Sequence, residues 1–309
     1  MNVFEFLGLS HDHRKSGKVV QLVKNFEEVP ASKIKFPLIG QIKKDGVFGV
    51  LVINESGESG VFGRTGKRLC STGHLEDQYD WLPAGVYITE VCLPGHSLEV
   101  LSGIVNPNRK EELRPELSED WLNKGRMYFH DHLSIEDFIA GKDSRSYIER
   151  LSHLKFLNVP YLLDCPLNSD SDIELYASSV IESGEEGVVL KQDVSWEAGH
   201  KGWRSMKRVR RVSYDLLCVG VEEGTGKYTN KVANLIFQWK GGKTLKAMLG
   251  KGWSHHDAEV MWQSKEHRYN YYNPIGQIFE VYGLQDSSKG MIRLPKVGER
   301  RHDKEEPDV

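Results

Sequence analysis

The sequence predicts an α+β chain in two parts, a body of antiparallel sheets and helices followed by a small closed barrel. Three observations carry this expectation. Residues 47–53, 60–62 and 86–92 are rich in β-branched and aromatic side chains, with glycine-rich turns between them. Residues 144–157 and 171–184 instead repeat their apolar side chains at helical spacing. After residue 211 come three strand-like runs, a helix and a further strand, the succession of a Greek-key barrel of the OB type. A length of 309 residues suits two such domains, expected at 1–211 and 212–309.

Taken in order, Lys18 to Phe26 suits one amphipathic helix, with Val19, Val20, Leu22, Val23 and Phe26 apolar. From Pro37 to Val91 the runs read as a β-meander. Residues 98–114 read as irregular and polar, and 126–132 as another strand. The helix at 144–157 presents Ile148, Leu151, Leu154 and Phe156. Ser171-Asp172 caps the next helix, with Ile173, Ala177 and Val180 apolar and Gly184 at its end. A strand at 188–190 follows directly. In the last part, strands are expected at 214–221, 232–239, 244–249 and 277–282. A helix is expected at 255–268, with Ala258, Met261 and Trp262 on its buried face. The tail from Glu305 to Val309 reads as mobile.

Composition narrows the function classes. Hydrophobic residues make up 39% and charged residues 28%, enough of each for a packed core under a solvated surface. A net charge of −3 does not announce a nucleic-acid binder, so any basic face must be local. One exists in the sequence: Lys201, Arg204, Lys207, Arg208, Arg210 and Arg211 fall within eleven residues that contain no acidic side chain. Cys70, Cys92, Cys165 and Cys218 are widely spaced, which fits reduced thiols and neither a zinc site nor a disulfide frame. No apolar run approaches the ~20 residues that span a bilayer, and no signal-peptide core opens the chain, so a cytoplasmic location is expected.

The chemistry gathers around Lys43-Lys44-Asp45-Gly46, at the end of the apolar run that begins at Phe36. Alternation sends Lys43 and Asp45 to one face of a strand, and Gly46 permits a turn after them. An ordinary solvated hairpin would carry the same residues. The order of further stretches favours a nucleophilic lysine instead: Gly63-Arg64-Thr65, Tyr87-Ile88-Thr89-Glu90, Glu186-Gly187-Val188-Val189-Leu190-Lys191, Trp203-Arg204-Ser205-Met206-Lys207 and Arg301-His302-Asp303-Lys304. An amine that attacks phosphorus must be deprotonated when it does so.

In this order the set resembles the covalent nucleotidyltransferases, and among them the small ATP-dependent DNA ligases of viruses and phages. The resemblance runs from about residue 35 to the C-terminus. It implies a nucleotidyltransferase domain followed by an OB-fold domain. It also implies that Lys43 takes AMP from ATP, that the AMP passes to the 5′-phosphate of a nick in duplex DNA, and that the 3′-hydroxyl then displaces it. Each step is an in-line displacement at phosphorus, where positioning and charge neutralisation do most of the work. By the same resemblance Asp45 belongs to the lysine motif, Glu186 binds Mg²⁺ or Mn²⁺, and Glu90 contacts the AMP ribose. Arg64 contacts phosphate, and Lys191 and Lys207 line the α-phosphate. Gln41 falls where the base is read. Arg301, Asp303 and Lys304 form an element that swings over the active site and orients pyrophosphate. Lys201, Arg204, Arg208, Arg210 and Arg211 are expected to meet DNA phosphates, as a monomer that ignores sequence would require.

Three positions depart from the pattern. Phe48 stands where Lys-x-Asp-Gly-x-Arg ends in arginine, and Ser205 replaces the first lysine of Lys-x-Lys. His130 occupies the place of the aromatic ring that stacks on adenine, with Phe129 as an alternative. Arg204 or Arg208 is expected to replace the charge lost at Ser205. RNA ligases, capping guanylyltransferases and a nick-binding homologue that does not seal share parts of the same set.

Overall fold

The computed structural model describes residues 1–267, 270–286 and 290–309. They fall into two units, Met1–Val209 and Arg210–Val309. Among the described residues no helix is long and apolar enough to cross a membrane.

In the first unit the chain runs through α1 (Val3–Phe6), β1 (Leu22–Asn25), β2 (Leu38–Lys43), β3 (Val47–Ile53), β4 (Ser59–Gly63), α2 (Gly73–Gln78) and β5 (Gly85–Cys92). It continues through α3 (Leu98–Ile104), α4 (Pro115–Lys124), β6 (Arg126–Leu133), α5 (Ile135–Ala140), β7 (Lys142–Asp143), α6 (Tyr147–Leu157) and β8 (Asp164–Leu167). Then come α7 (Asp170–Glu182), β9 (Gly187–Gln192), β10 (Trp196–Glu197) and β11 (Lys201–Val209). Two sheets result, one ordered β1-β11-β9-β2-β8 and the other β4-β3-β5-β6, with β10 and β7 forming a short ribbon.

The expected meander therefore divides. Strands β3, β4 and β5 pair as neighbours, but β2 leaves them and pairs with β8 and β9 in the other sheet. Gly46 makes the crossing possible: a Cβ there would lie 2.5 Å from the Val91 carbonyl oxygen and 2.7 Å from Glu90 Cγ. Only glycine lets the turn after Lys43 pass this close to β5.

Several other expectations are corrected. The helix read at 18–26 is instead strand β1 between 3-10 turns, paired in parallel with β11. Val19 and Val20 are both buried, which one face of an amphipathic helix does not explain, and the open edge of β11 offers ladder partners. Residues 98–104 of the supposedly irregular stretch form α3, capped by Ser97 and anchored by buried Leu101 and Ile104. In α6, Ile148 and Phe156 are exposed at 49% and 85%, and Tyr147, Arg150, Leu151 and Leu154 face inward instead. The cap of α7 is Ser169, whose side chain accepts from the Asp172 amide, rather than Ser171. Ile173, Ala177 and Val180 of that helix cover Leu38, Val188, Leu190 and Met206, one face of the five-stranded sheet.

The second unit is a closed barrel, in the order β12-β13-β14-β16-β15. Its strands are β12 (Arg211–Glu223), β13 (Val232–Trp239), β14 (Lys243–Leu249), β15 (Ile278–Asp286) and β16 (Ile292–Arg300). Closure comes from β12 pairing with both β13 and β15 and from β14 pairing in parallel with β16. Helix α8 (His255–Ser264) lies between β14 and β15, with Ala258 and Met261 buried and Trp262 half-buried. Its expected end at Arg268 lies outside the described residues. The C-terminal tail is tied down: Asp308 accepts from the Asp215 amide and donates its own amide to the Asp215 carbonyl oxygen. All four cysteines are free thiols, two of them buried.

Candidate active site

Strand alternation selects the side chains of the site. Lys43 pairs with Gly187, Gln41 with Val189 and Ile39 with Lys191, while Ser205 sits opposite Lys191 and Lys207 opposite Val189. Directly opposed residues share a face, so Gln41, Lys43, Lys191, Ser205 and Lys207 project from the sheet face opposite α7. This gathers the lysines of β9 and β11 with Lys43 of β2, a strand far away in sequence.

At the end of that face Lys43 Nζ donates to Glu186 Oε2 at 2.5 Å, and Lys44 pairs with Glu185 beside it. Gly187 brings Glu186 here. Its φ of 149° is one that other residues rarely adopt, and a Cβ would collide with the Arg208 carbonyl oxygen. Glu90 completes the cluster from the second sheet. Burial pushes its carboxyl up to about 7, Lys43 opposes that, and Glu186 and Asp45 add to it. The Lys43 amine thus pairs with Glu186, and Glu90 feels the charges of Lys43, Glu186 and Asp45, at the point where β2 crosses between the sheets. Among the described residues no ready-made group of three metal ligands occurs. The gathered donors are all carboxylate oxygens, which suits a hard cation that fills its remaining positions with phosphate oxygens and water.

Deeper in, Lys191 is 7% exposed. Its Nζ donates to the His130 carbonyl oxygen at 2.8 Å and lies 4.1 Å from the centre of the Tyr147 ring. Burial lowers its amine to about 7, with Asp131 pulling the other way and Arg150 adding to the fall. Asp131 is locked to Arg150 by contacts of 2.8 and 3.2 Å, and both are buried. Burial works against the Asp131 carboxylate, yet Arg150 and Lys191 hold it below its ordinary value.

His130 owes its position to a β-bulge. Ile88 pairs with Asp131 and Thr89 with Phe129, so His130 is the extra residue and leaves the strict alternation of β6. Phe129 points into the core, fully buried against Tyr79 and Tyr87. It is excluded as the alternative stacking ring. The His130 ring meets Phe48 edge-on with centroids 5.9 Å apart. Two of the three departures from the expected pattern therefore touch each other, and Phe48 fills space against an imidazole that burial, with Lys191 next, lowers to about 3. Gln41 is 1% exposed and donates through Nε2 to the Leu162 carbonyl oxygen at 2.9 Å, while its Oε1 has no partner.

The remaining candidates divide. Arg64 is exposed just beyond Gly63, which pairs with Gly49, so it lies at the same end of its sheet as Phe48. The compensation expected at Ser205 does not occur. Arg208 projects to the α7 side, where it pairs with Glu174 at 2.6 Å and Glu27 at 3.6 Å. Arg204 is taken up by Ser195 and Glu197. The basic run is thus split by alternation and ion pairing rather than forming one cationic stripe. Lys201, Arg210 and Arg211 are exposed. In the barrel unit, Arg301 grips Asp215 at 2.8 and 2.9 Å and Asp303 at 2.8 and 3.0 Å, and Lys304 reaches Asp215 at 2.6 Å. Asp303, paired first with Arg301, is lowered to about 2. Sequence reasoning missed Asp131, Tyr147, Arg150 and Asp215. A lone arginine among the apolar positions of α6 was the available signal for one of them.

This two-unit fold is that of the ATP-dependent DNA ligases. The ATP-dependent DNA ligase of bacteriophage T7, solved in complex with ATP, aligns over 93% of this chain and 99% of its own, with a TM-score of 0.53 and 15% identity. A Lig E DNA ligase, from a study of DNA binding with a minimal scaffold, aligns over 91% and 98%, with a TM-score of 0.67 and 16% identity. In sequence, a probable DNA ligase of Streptomyces griseus subsp. griseus is 34% identical over 95 residues. That match takes in 29% of this chain and spans only 18% of the relative's length. No protein-family profile matches the chain.

Proposed function

We propose that the chain is an ATP-dependent DNA ligase that seals 5′-phosphate/3′-hydroxyl nicks in duplex DNA through an AMP-lysine at Lys43. The observation that carries this reading is the Lys43–Glu186 pair at 2.5 Å, with Glu90 beside it and Lys191, Ser205 and Lys207 on the same sheet face. Glu186 holds the amine in place until nucleotide enters. Lys43 then attacks the α-phosphorus in line with departing pyrophosphate, and Lys191 and Lys207 face the oxygens that gain charge. Glu186, with Asp45 nearby, would hold Mg²⁺ or Mn²⁺, which would neutralise charge at phosphorus. His130 lies flat against the base and Glu90 accepts from the ribose. Arg64 and the exposed Lys201, Arg210 and Arg211 contact phosphates. Arg301, Asp303 and Lys304 serve pyrophosphate in the first step alone. The adenylation domain is 1–211 and the OB domain 212–309, and the protein works as a monomer in the cytoplasm, or inside the host cell for a viral chain.

Intact mass after incubation with ATP and Mg²⁺ tests the reading. The wild type should gain one AMP, and Lys43→Ala should gain none while keeping its fold. A label on Lys44, or an adduct that survives in Lys43→Ala, overturns the assignment.

A further inference from the structure

Lys43 and Glu186 cannot stay paired through the reaction proposed above. To attack phosphorus the amine must turn a lone pair to the nucleotide, and a carboxylate that takes a metal ion has its oxygens committed elsewhere. The backbone ladder gives little help at this point. Lys43 and Gly187 are the last pair between β2 and β9, so Lys44, Glu185 and Glu186 all lie beyond its end. Another contact is needed to keep the two reacting ends in register once their own pair opens.

Lys44 supplies one. Its ammonium pairs with the Glu185 carboxylate, and both side chains are largely buried, at 23% and 26% exposure. This pair runs alongside Lys43–Glu186 and joins the same two chain segments one residue further on. Both of its ends are anchored. The Glu185 amide donates to the Val180 carbonyl oxygen, in the last turn of α7, at 3.3 Å. On the other side Lys44 Nζ lies 5.3 Å from the centre of the Tyr128 ring, within reach of its π face. Tyr128 stands on β6 directly opposite Glu90, so ring and carboxylate share a face of the second sheet. One lysine thus ties the segment that carries Glu186 to a ring beside Glu90.

We propose that Lys44 is a positioning residue for nucleotidyl transfer to Lys43. Its pairing with Glu185, against the Tyr128 ring, holds the turn after β2 to the Glu186 segment while the Lys43–Glu186 contact is open. The role rests on the reading of Lys43 as nucleophile and goes beyond it by assigning part of the alignment to a pair outside the reacting groups. A single ion pair with some solvent access adds little to fold stability. Its effect falls on alignment instead, where an error of about 1 Å costs on the order of 10²-fold in rate.

Two measurements on the full chain test this: affinity for α,β-methylene ATP, which binds without reacting, and the rate of AMP-adduct formation at saturating ATP. Lys44→Met and Glu185→Gln should each slow the adduct by about 10- to 100-fold and leave the analogue's affinity within about 2-fold. Lys44→Arg keeps the charge beside Glu185 and over the ring, and should recover most of the rate. The exchanged pair, Lys44→Glu with Glu185→Lys, should react faster than either of its single members. Thermal unfolding of each variant checks that the fold is kept. The proposal is overturned if Lys44→Met reacts within about 3-fold of wild type, if affinity falls as far as rate, or if Lys44→Arg is as slow as Lys44→Met. A wild type that never acquires AMP overturns the reading of Lys43 and the role of Lys44 with it. A reactive wild type beside an unaffected Lys44→Met overturns the role of Lys44 alone.

Discussion

The Asp131–Arg150 pair offers a quantitative test of what holds the phosphate-facing side of the site together. Both residues are almost fully buried, at 4% and 2% exposure, so solvent cannot replace either partner. In Asp131→Asn the Arg150 guanidinium would keep the carbonyl oxygens of Arg145 at 2.6 Å and Val194 at 3.2 Å and at most one amide oxygen at position 131, and would lose the negative charge there. A buried cation stripped of its counter-ion costs about 3–5 kcal/mol. The loss extends to Lys191, whose buried amine also leans on Asp131. Arg150→Met is milder, about 2–3 kcal/mol, because Lys191 remains to balance the carboxylate and the main losses are hydrogen bonds. In the double variant the unpaired guanidinium is gone, so its cost should fall short of the sum of the two singles by about 2 kcal/mol. Hydrogen exchange reads this locally: amides of residues 126–157 should lose protection in Asp131→Asn and regain part of it in the double variant. Peptides of the barrel unit serve as the internal control. A cost below about 1 kcal/mol for Asp131→Asn, or strict additivity, would refute the reasoning.

Two further outcomes are expected. Lys191 is lowered to about 7 from an ordinary 10.5. Below about 7 it is charged in both folded and unfolded chains and the burial penalty is felt in full. Between these values the unfolded chain binds more protons, so stability rises with pH. Lys191→Met should therefore stabilise the first unit more at about pH 6 than at about pH 9, by on the order of 1–2 kcal/mol in urea unfolding; an equal gain at both would show that the amine is not perturbed. Arg301→Ala should fail to form the AMP adduct from ATP yet seal a nick already adenylylated at its 5′-phosphate, because no pyrophosphate is present in the later steps. An equal defect on that substrate would assign Arg301 to DNA or to barrel stability through Asp215.

Much of the site is legible in the residue string because each motif is local. A lysine at the end of a strand, a glycine after Glu186 and an arginine in the turn after a strand are all features of a few consecutive residues, and their order along the chain carries the resemblance. The barrel was readable for a similar reason: its strands follow one another with short connections, and β-branched runs mark them. Tertiary structure decided everything that depends on register. Phe129 and His130 are neighbours in sequence, and only a bulge against β5 sends one ring to the core and the other to the site. Arg208 and Ser205 lie three residues apart, yet pairing with β9 puts them on opposite faces, so one cannot replace the charge missing from the other. A one-residue change of register reverses every such assignment, and no local pattern records it. Lys191, Arg301 and Gln41 find His130, Asp215 and Leu162 at 61, 86 and 121 residues' separation along the chain. The sequence by itself determined which chemistry is present and on what kind of element. Which side chains meet, and which amide or amine is held in one state, was decided by burial, because only inside the folded chain does an unpaired polar group cost enough to fix its neighbours.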